Sequence, residues 1–417
     1  MIGSCKLVRK QGSRLKIAKR GVRAHWEICS MNYTTSWILQ GVNRALSKRG
    51  IMSKATLPPI DIRDIRVAHL EQLAQLELPL PRKAPTDDVP PEVVMEHILE
   101  WIKENPASLQ AARDMQCTSD SYDTPNWDTA FFTFVESITM YLRKDEEVVN
   151  ALLAARDGDF SRALAHLDAS QELIVTVATA IDCEFVQLCD FAEQTPDGTF
   201  YQSGAYAGLF ISKASGKPFM GIGFKGTNSY RDQGTDIDWL PIVPPQPEIV
   251  WGAPTHRGFY LALFGQFTSG VNTQVPFDVL VDQLKNVYTG DSKLHFTGHS
   301  LGGALSALAY AEFLRRQERA FMLALFQLGD MYTYGQPRGS YEPFAAELNK
   351  RTQEGSGKHM FRIVNSQDPV PTIPPLYADD LVNYPFVHAK GAWRITMVGE
   401  DHNPFNYYTS WQATPHS

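Results

Sequence analysis

Along the first half of the chain apolar residues recur every three to four positions; along the second half they gather in short contiguous runs. The helical spacing predicts four helices. One covers 67–78, inside a segment (55–91) punctuated by Pro58, Pro59, Pro79, Pro81, Pro85, Pro90 and Pro91. The next covers 91–103, with proline in its first turn, where a missing N–H is harmless, and an apolar face of Val93, Val94, Ile98, Leu99 and Ile102. A third covers 127–155 with an interruption at 143–147, and a fourth covers 160–191. The period then changes. Residues 206–212 and 218–224 read as strands joined by the turn 213–217, followed by strands at 293–297, 331–334 and 360–365 and a helix at 300–316. Strands alternating with helices predict an α/β fold whose parallel or mixed sheet is covered on both faces, preceded by a mainly helical region. No repeat of fixed period is visible.

Composition narrows the class. The chain has 417 residues, 43% hydrophobic and 20% charged, enough apolar material for a sizeable core. No stretch of about 18 apolar residues occurs, so no transmembrane segment is expected. Five cysteines, an odd number in a chain this long, do not form a disulfide framework, and the close pair Cys183 and Cys189 is expected to be two buried thiols. The net charge of -7 conceals an asymmetry: residues 1–54 carry twelve Lys/Arg and one acidic residue, leaving 27 basic and 45 acidic residues over 55–417. That acidic bulk has no overall attraction for nucleic acid or an anionic membrane. The basic head reads either as a mitochondrial transit segment or as an extension upstream of a start at Met52, and both readings predict an intracellular protein, cytoplasmic or mitochondrial. The expected organisation is a basic extension (1–54), a helical region (55–165) and an α/β domain (166–417).

The sharpest chemical signal is Leu294-His295-Phe296-Thr297-Gly298-His299-Ser300-Leu301-Gly302-Gly303-Ala304. It is a G-x-S-x-G nucleophile elbow in the context that gives the motif meaning, an apolar strand before it and a helix after it. The tight turn presents the serine hydroxyl, Gly298 and Gly302 let strand and helix converge, and the helix start brings the Leu301 N–H toward a developing negative charge. An α/β-hydrolase orders its triad as serine, acid, histidine. After the strand at 360–365, Asp368 stands where a post-strand acid belongs. Downstream lie His388, His402 and His416; His402, on the polar stretch Glu400-Asp401-His402-Asn403-Pro404, is the preferred base, with His388 the other candidate.

These residues resemble the fungal-type triacylglycerol lipase family, the class 3 lipases, over roughly 180–410. Phe224-Lys225-Gly226-Thr227-Asn228-Ser229 is similar to its F-[RK]-G-[ST]-x-S oxyanion block, and Thr255-His256-Arg257-Gly258-Phe259 to its H-x-G-F block. Tyr332-Thr333-Tyr334-Gly335-Gln336-Pro337-Arg338 is similar to T-[FY]-G-x-P-R. Residues 362–365 with Asp368 and Val370-Pro371 are similar to the acid block, and Asp401-His402 to the terminal D-H. The resemblance implies an α/β-hydrolase with Ser300 as nucleophile, Asp368 as orienting acid, His402 as base, and Thr227 with Leu301 as oxyanion donors. It implies a lid over Tyr230–Thr255, between the oxyanion block and His256, for which Trp239, Leu240, Ile242 and Val243 are the apolar candidates. The chain departs from secreted members in showing neither their signal peptide nor their disulfides. The activity so implied is carboxylic-ester hydrolysis, a lipase acting on acylglycerols at a lipid–water interface, with no cofactor or metal. Two alternatives stay open: an esterase for smaller or aromatic esters, and a non-catalytic lipid-binding protein on the same fold.

Overall fold

The computed structural model describes residues 90–413 apart from 192, 195–199, 202–203, 214–217, 227–239, 270–271, 289, 291, 320–325, 367, 375–385, 390–391 and 396–401. All of them belong to one of the two units into which the chain divides, Ile60–Ser417. The expected helix at 67–78 lies outside the described residues.

Seven strands form the main sheet: β1 (Cys183–Asp190), β2 (Tyr206–Ser212), β3 (Phe219–Phe224), β4 (Lys293–His299), β5 (Gln327–Tyr334), β6 (Met360–Asn365) and β7 (Ala392–Ile395). They lie side by side in chain order. The pairs β1–β2 and β2–β3 are antiparallel, whereas β3–β4, β4–β5, β5–β6 and β6–β7 are parallel. This is the expected mostly parallel sheet. Each parallel step requires a crossover, and the helices that make these crossovers cover the sheet.

Alternation along the strands divides the core in two. Leu209, Ile222, Phe296 and Met331 face one cluster, shared with α6 (Arg257–Phe264), α7 (Pro276–Val287), α8 (Leu301–Arg319) and α9 (Glu342–Arg351). Phe210, Phe219, Tyr332 and Phe361 face the other. That second layer is built by α1 (Pro91–Glu104), α2 (Pro106–Asp114), α3 (Trp127–Thr139) and α5 (Phe160–Ala180), with the C-terminal α10 (Pro404–Ala413). Within it α3 is buried from Thr129 to Thr139. Its hydroxyls are satisfied locally: Thr133 bonds the Thr129 carbonyl at 2.8 Å, Ser137 that of Phe134 at 2.7 Å and Thr139 that of Val135 at 2.7 Å.

The helical region is therefore one face of the α/β sandwich. The boundary expected at 165/166 falls inside the unbroken helix α5, which shares its core with β1 and β2. The helix expected at 160–191 is corrected: it stops at Ala180, Asp182 turns the chain with φ +60, and Cys183–Asp190 pairs with β2 as a strand. Asp is among the few non-glycine residues that adopt the left-handed conformation readily, so the turn needs no Gly or Pro. The third helix is interrupted, as expected, though its first part stops a few residues earlier. It ends at Thr139, gives one 3-10 turn at Met140–Leu142, and a new helix, α4 (Asp145–Arg156), follows. Arg143 in that break is buried, 2.6 Å from Asp190 and 2.8 Å from Asp145, with its guanidinium over the Tyr206 ring. Burial opposes its charge, but Asp145 and Asp190 outweigh burial and hold it protonated. The cysteines Cys117, Cys183 and Cys189 are free and buried, and burial pushes each thiol up.

Candidate active site

The elbow lies where the C-terminal ends of three parallel strands meet. Gly298 pairs with Phe224 at the end of β3, and His299 with Tyr334 at the end of β5. Ser300 follows at once, in the left-handed conformation with φ +58, an uncommon state for a residue with a Cβ. Its N–H donates to the Tyr334 carbonyl at 2.9 Å, and its carbonyl accepts from Gly303 N–H at 2.9 Å. A non-glycine residue held at positive φ costs about 1–3 kcal/mol; here the hydrogen bonds on both sides hold the turn. The glycines are required by contact, since a Cβ on Gly302 would lie 2.2 Å from the Phe224 carbonyl oxygen. Leu301 opens α8, so its N–H is among the helix's first groups, which lack an intrahelical acceptor.

Asp368 and His402, 34 residues apart, form the second part of the site. Asp368 is 4% and His402 3% exposed. His402 Nδ1 donates to Asp368 Oδ2 at 2.7 Å. Asp368 Oδ1 accepts from Val370 N–H at 2.8 Å, and Oδ2 also accepts from the Tyr407 hydroxyl. Among the described residues the carboxylate thus has three donors, and only one of them is His402. The pair lies against Gly335, the residue after the one that holds Ser300. At φ +56 a Cβ there would fall 2.5 Å from His402 Cε1 and 2.7 Å from Asp368 Oδ2.

His299 joins the two parts. Its ring stacks on the His402 ring with centroids 4.4 Å apart, and its Nε2 donates to the His402 carbonyl at 3.1 Å. Of the two candidate histidines, His402 is the one on Asp368. His388 donates Nε2–H to the Pro371 carbonyl at 2.8 Å, and burial, with Arg362 nearby, pushes it down to about 3. His416 lies outside the described residues.

Thr227 and Trp239 also lie outside the described residues. Of the remaining lid candidates, Ile242 belongs to a two-residue strand, Pro241–Ile242, paired with Thr255–His256, and the Leu240 carbonyl accepts from Arg257 N–H at 2.8 Å. Leu240 and Val243, flanking that strand, are 58% and 65% exposed. Three residues that build the site carried no sequence signal: Tyr407, Tyr141, whose hydroxyl meets His299, and His299 itself, legible only as the variable position of the motif. Among the described residues no group of three His, Cys, Asp or Glu is placed to hold a metal ion. No helix among them is long and apolar enough to cross a membrane.

Residues 221–378 match the family model "Lipase (class 3)", a span that includes Ser300 and Asp368. Over this span the chain is similar to the class 3 lipases. Among curated relatives it is similar to a lipase of Rhizomucor miehei, 31% identical over 186 residues, 45% of this chain and 44% of that one. It is also similar to secreted mono- and diacylglycerol lipase 1 of Fusarium solani, 39% identical over 84 residues, 20% of this chain and 21% of that one. The chain thus spans less than half the length of these relatives. A solved structure of Rhizomucor miehei triacylglyceride lipase aligns with 65% of this chain and 82% of its own at 22% identity and a TM-score of 0.38. Tyr141, His402 and Tyr407 lie outside the span matched by the family model.

Proposed function

We propose that the protein is a serine carboxylic-ester hydrolase acting on acylglycerols, with Ser300 as nucleophile, His402 as general base and Asp368 as the acid that orients it. One observation carries this reading. Ser300 sits on a left-handed turn bonded to the Tyr334 carbonyl, and the Asp368–His402 pair packs against the next residue, Gly335.

The chemistry follows from the residue types. Ser300 Oγ attacks the ester carbonyl carbon while His402 Nε2 takes its proton. Asp368 holds Nδ1–H in place, so Nε2 is the basic nitrogen, and it stabilises the imidazolium that forms. The carbonyl oxygen gains negative charge, which the Leu301 N–H and Thr227 are proposed to receive; each such donor lowers the barrier by about 3 kcal/mol. The bond to the leaving alkoxy oxygen breaks, that oxygen takes the proton from His402, and the acyl group remains on Ser300. Water then repeats the sequence, and the carboxylic acid leaves. The exposed side chains of Leu240 and Val243 support an apolar substrate presented at a lipid–water interface.

The test compares wild type with Ser300→Ala on emulsified triacylglycerol and on nitrophenyl esters of increasing acyl length. Ser300→Ala is expected to lose activity by at least about 10⁴-fold on every ester. Wild type is expected to favour long acyl chains and to rise in rate when an emulsion forms. Unchanged turnover by Ser300→Ala removes the mechanism. A preference for short soluble esters, with no gain at an interface, makes the protein an esterase.

A further inference from the structure

We propose that Tyr141 and His299 are positioning residues for the base. Tyr141 fixes the His299 ring, and that ring holds both the main chain and the imidazole plane of His402, so the N-terminal helical layer completes the active site. This inference rests on the assignment of Ser300, Asp368 and His402 given above.

The geometry runs through three residues. His299 is fully buried, and its Nε2 lies 3.1 Å from the His402 carbonyl oxygen. A carbonyl can only accept, so Nε2 carries the proton. Burial, and the neighbouring His402, hold His299 well below the usual imidazole range, so the ring is neutral and has one proton to give. Nδ1 is then an acceptor, and the Tyr141 hydroxyl stands 3.1 Å from it. The same hydroxyl lies 3.3 Å from the His299 carbonyl, at the base of the elbow. The phenol has one proton for these two acceptors; donated to Nδ1, it favours the Nε2–H tautomer of His299, the tautomer that provides the donor for His402.

The stacking has its own consequence. Two imidazoles with centroids 4.4 Å apart and planes at 27° do not both take up a proton, because the like charges repel at that distance. Keeping His299 neutral reserves the positive charge for His402, where the reaction needs it. Among the described residues, the other ionisable groups seen facing His402 are Asp368, on Nδ1, and Tyr407, edge-on at 6.5 Å.

Tyr141 is also built into the opposite side of the site. A Cβ on Gly226, in the block that resembles an oxyanion loop, would lie 2.0 Å from the Tyr141 hydroxyl oxygen. Lys225, the residue before it, is buried with its Nζ 5.8 Å from the Tyr141 ring centroid. Tyr141 belongs to the 3-10 turn after α3, 80 residues before the span matched by the class 3 lipase model begins. One phenol thus touches the end of β3, the elbow and, through His299, the base.

The experiment measures steady-state kinetics and the pH profile of kcat/KM on a nitrophenyl ester for full-length Tyr141→Phe, His299→Leu, the double variant, His299→Gln and Ser300→Ala. Active sites are titrated so that kcat refers to folded enzyme. His299→Leu is expected to lower kcat about ten- to a hundredfold, the scale for a displaced catalytic group, with KM within about twofold. Its acid limb, which reports the base in free enzyme, is expected to move to lower pH, because an apolar neighbour disfavours the imidazolium. His299→Gln restores an N–H donor and is expected to recover most of the loss. Tyr141→Phe is expected to lower kcat about three- to tenfold and to add nothing in the His299→Leu background. Wild-type kcat and acid limb in both single variants, with Ser300→Ala silent, overturn the inference while leaving the nucleophile assignment intact. Losses that multiply in the double variant overturn the claim that Tyr141 acts through His299. If Ser300→Ala keeps full activity, the assignment beneath the inference falls first.

Discussion

Tyr407 and His402 donate to the same oxygen of Asp368. Tyr407 is 1% exposed, and burial, with Asp368 beside it, keeps its hydroxyl protonated far above the usual phenol range, so it acts as a fixed donor. It comes from α10, five residues after the base, so one short segment delivers both groups to the carboxylate. The shared oxygen divides its charge between two donors, which tempers its pull on the His402 proton.

Tyr407→Phe removes one of those donors. Asp368 Oδ2 then interacts with His402 alone, and the imidazolium that forms in the reaction is held more strongly. The acid limb of kcat/KM is expected to move to higher pH, with a loss of about 1.5–3 kcal/mol in unfolding free energy, the range for a hydrogen bond to a charged group. A pH–rate profile and urea denaturation of the variant check both signs.

Gly335 is the second point of leverage. Its φ of +56 and its contacts with His402 and Asp368 leave no room for a side chain. Gly335→Ala is expected to reduce kcat by more than about 100-fold, the scale of a 1 Å misplacement, for a stability cost of only about 1–3 kcal/mol. Comparing kcat with the melting temperature separates the two effects: a variant that melts early but turns over normally contradicts this account.

What was legible beforehand follows from where each signal resides. The elbow is encoded in eleven contiguous residues, because strand, turn and helix start are local events, and the structure places Ser300 on such a turn. Strands β2 and β6 were readable to the residue from short apolar runs. β1 was not: Cys183–Asp190 follows a helix with no Gly or Pro between them, and only its pairing with β2 makes it a strand. The short helix α2 and the C-terminal α10 were missed as well, their apolar faces being set by tertiary contact. The surroundings of the base were hidden for the same reason. Tyr141 meets His299 across 158 residues, and Tyr407 meets Asp368 across 39, distances over which no periodicity carries information.

His388 provides a test of stability against pH. Burial lowers its folded pKa to about 3, below an unfolded value near 6.5. Between those values the unfolded chain binds more protons, so stability is complete above about pH 6.5, falls as the pH drops through that window, and levels off below about pH 3. The contribution amounts to a few kcal/mol. His388→Gln, whose amide can still donate to the Pro371 carbonyl, is expected to show a shallower loss of stability than wild type from pH 7 to pH 4 in urea denaturation. Parallel curves for the two proteins refute the assignment.

Beneath the elbow strand, Glu136 of α3 and His295 of β4 form a fully buried pair through Oε2 and Nε2. Gly221 of β3 leaves space for both, since a Cβ there would lie 2.3 Å from His295 Nε2 and 2.4 Å from Glu136 Oε1. The pair ties the helical layer to the strand that carries Ser300. A buried pair gains little over a well-packed apolar substitute, but breaking it leaves a polar or charged group without compensation, at about 3–5 kcal/mol. Glu136→Leu and His295→Leu are each expected to destabilise on that scale, and the double variant less than the sum of the two. Because the pair lies five residues before Ser300, the surviving folded fraction of each single variant is expected to keep the wild-type KM. Additive losses of stability in the double-mutant cycle refute direct coupling between Glu136 and His295.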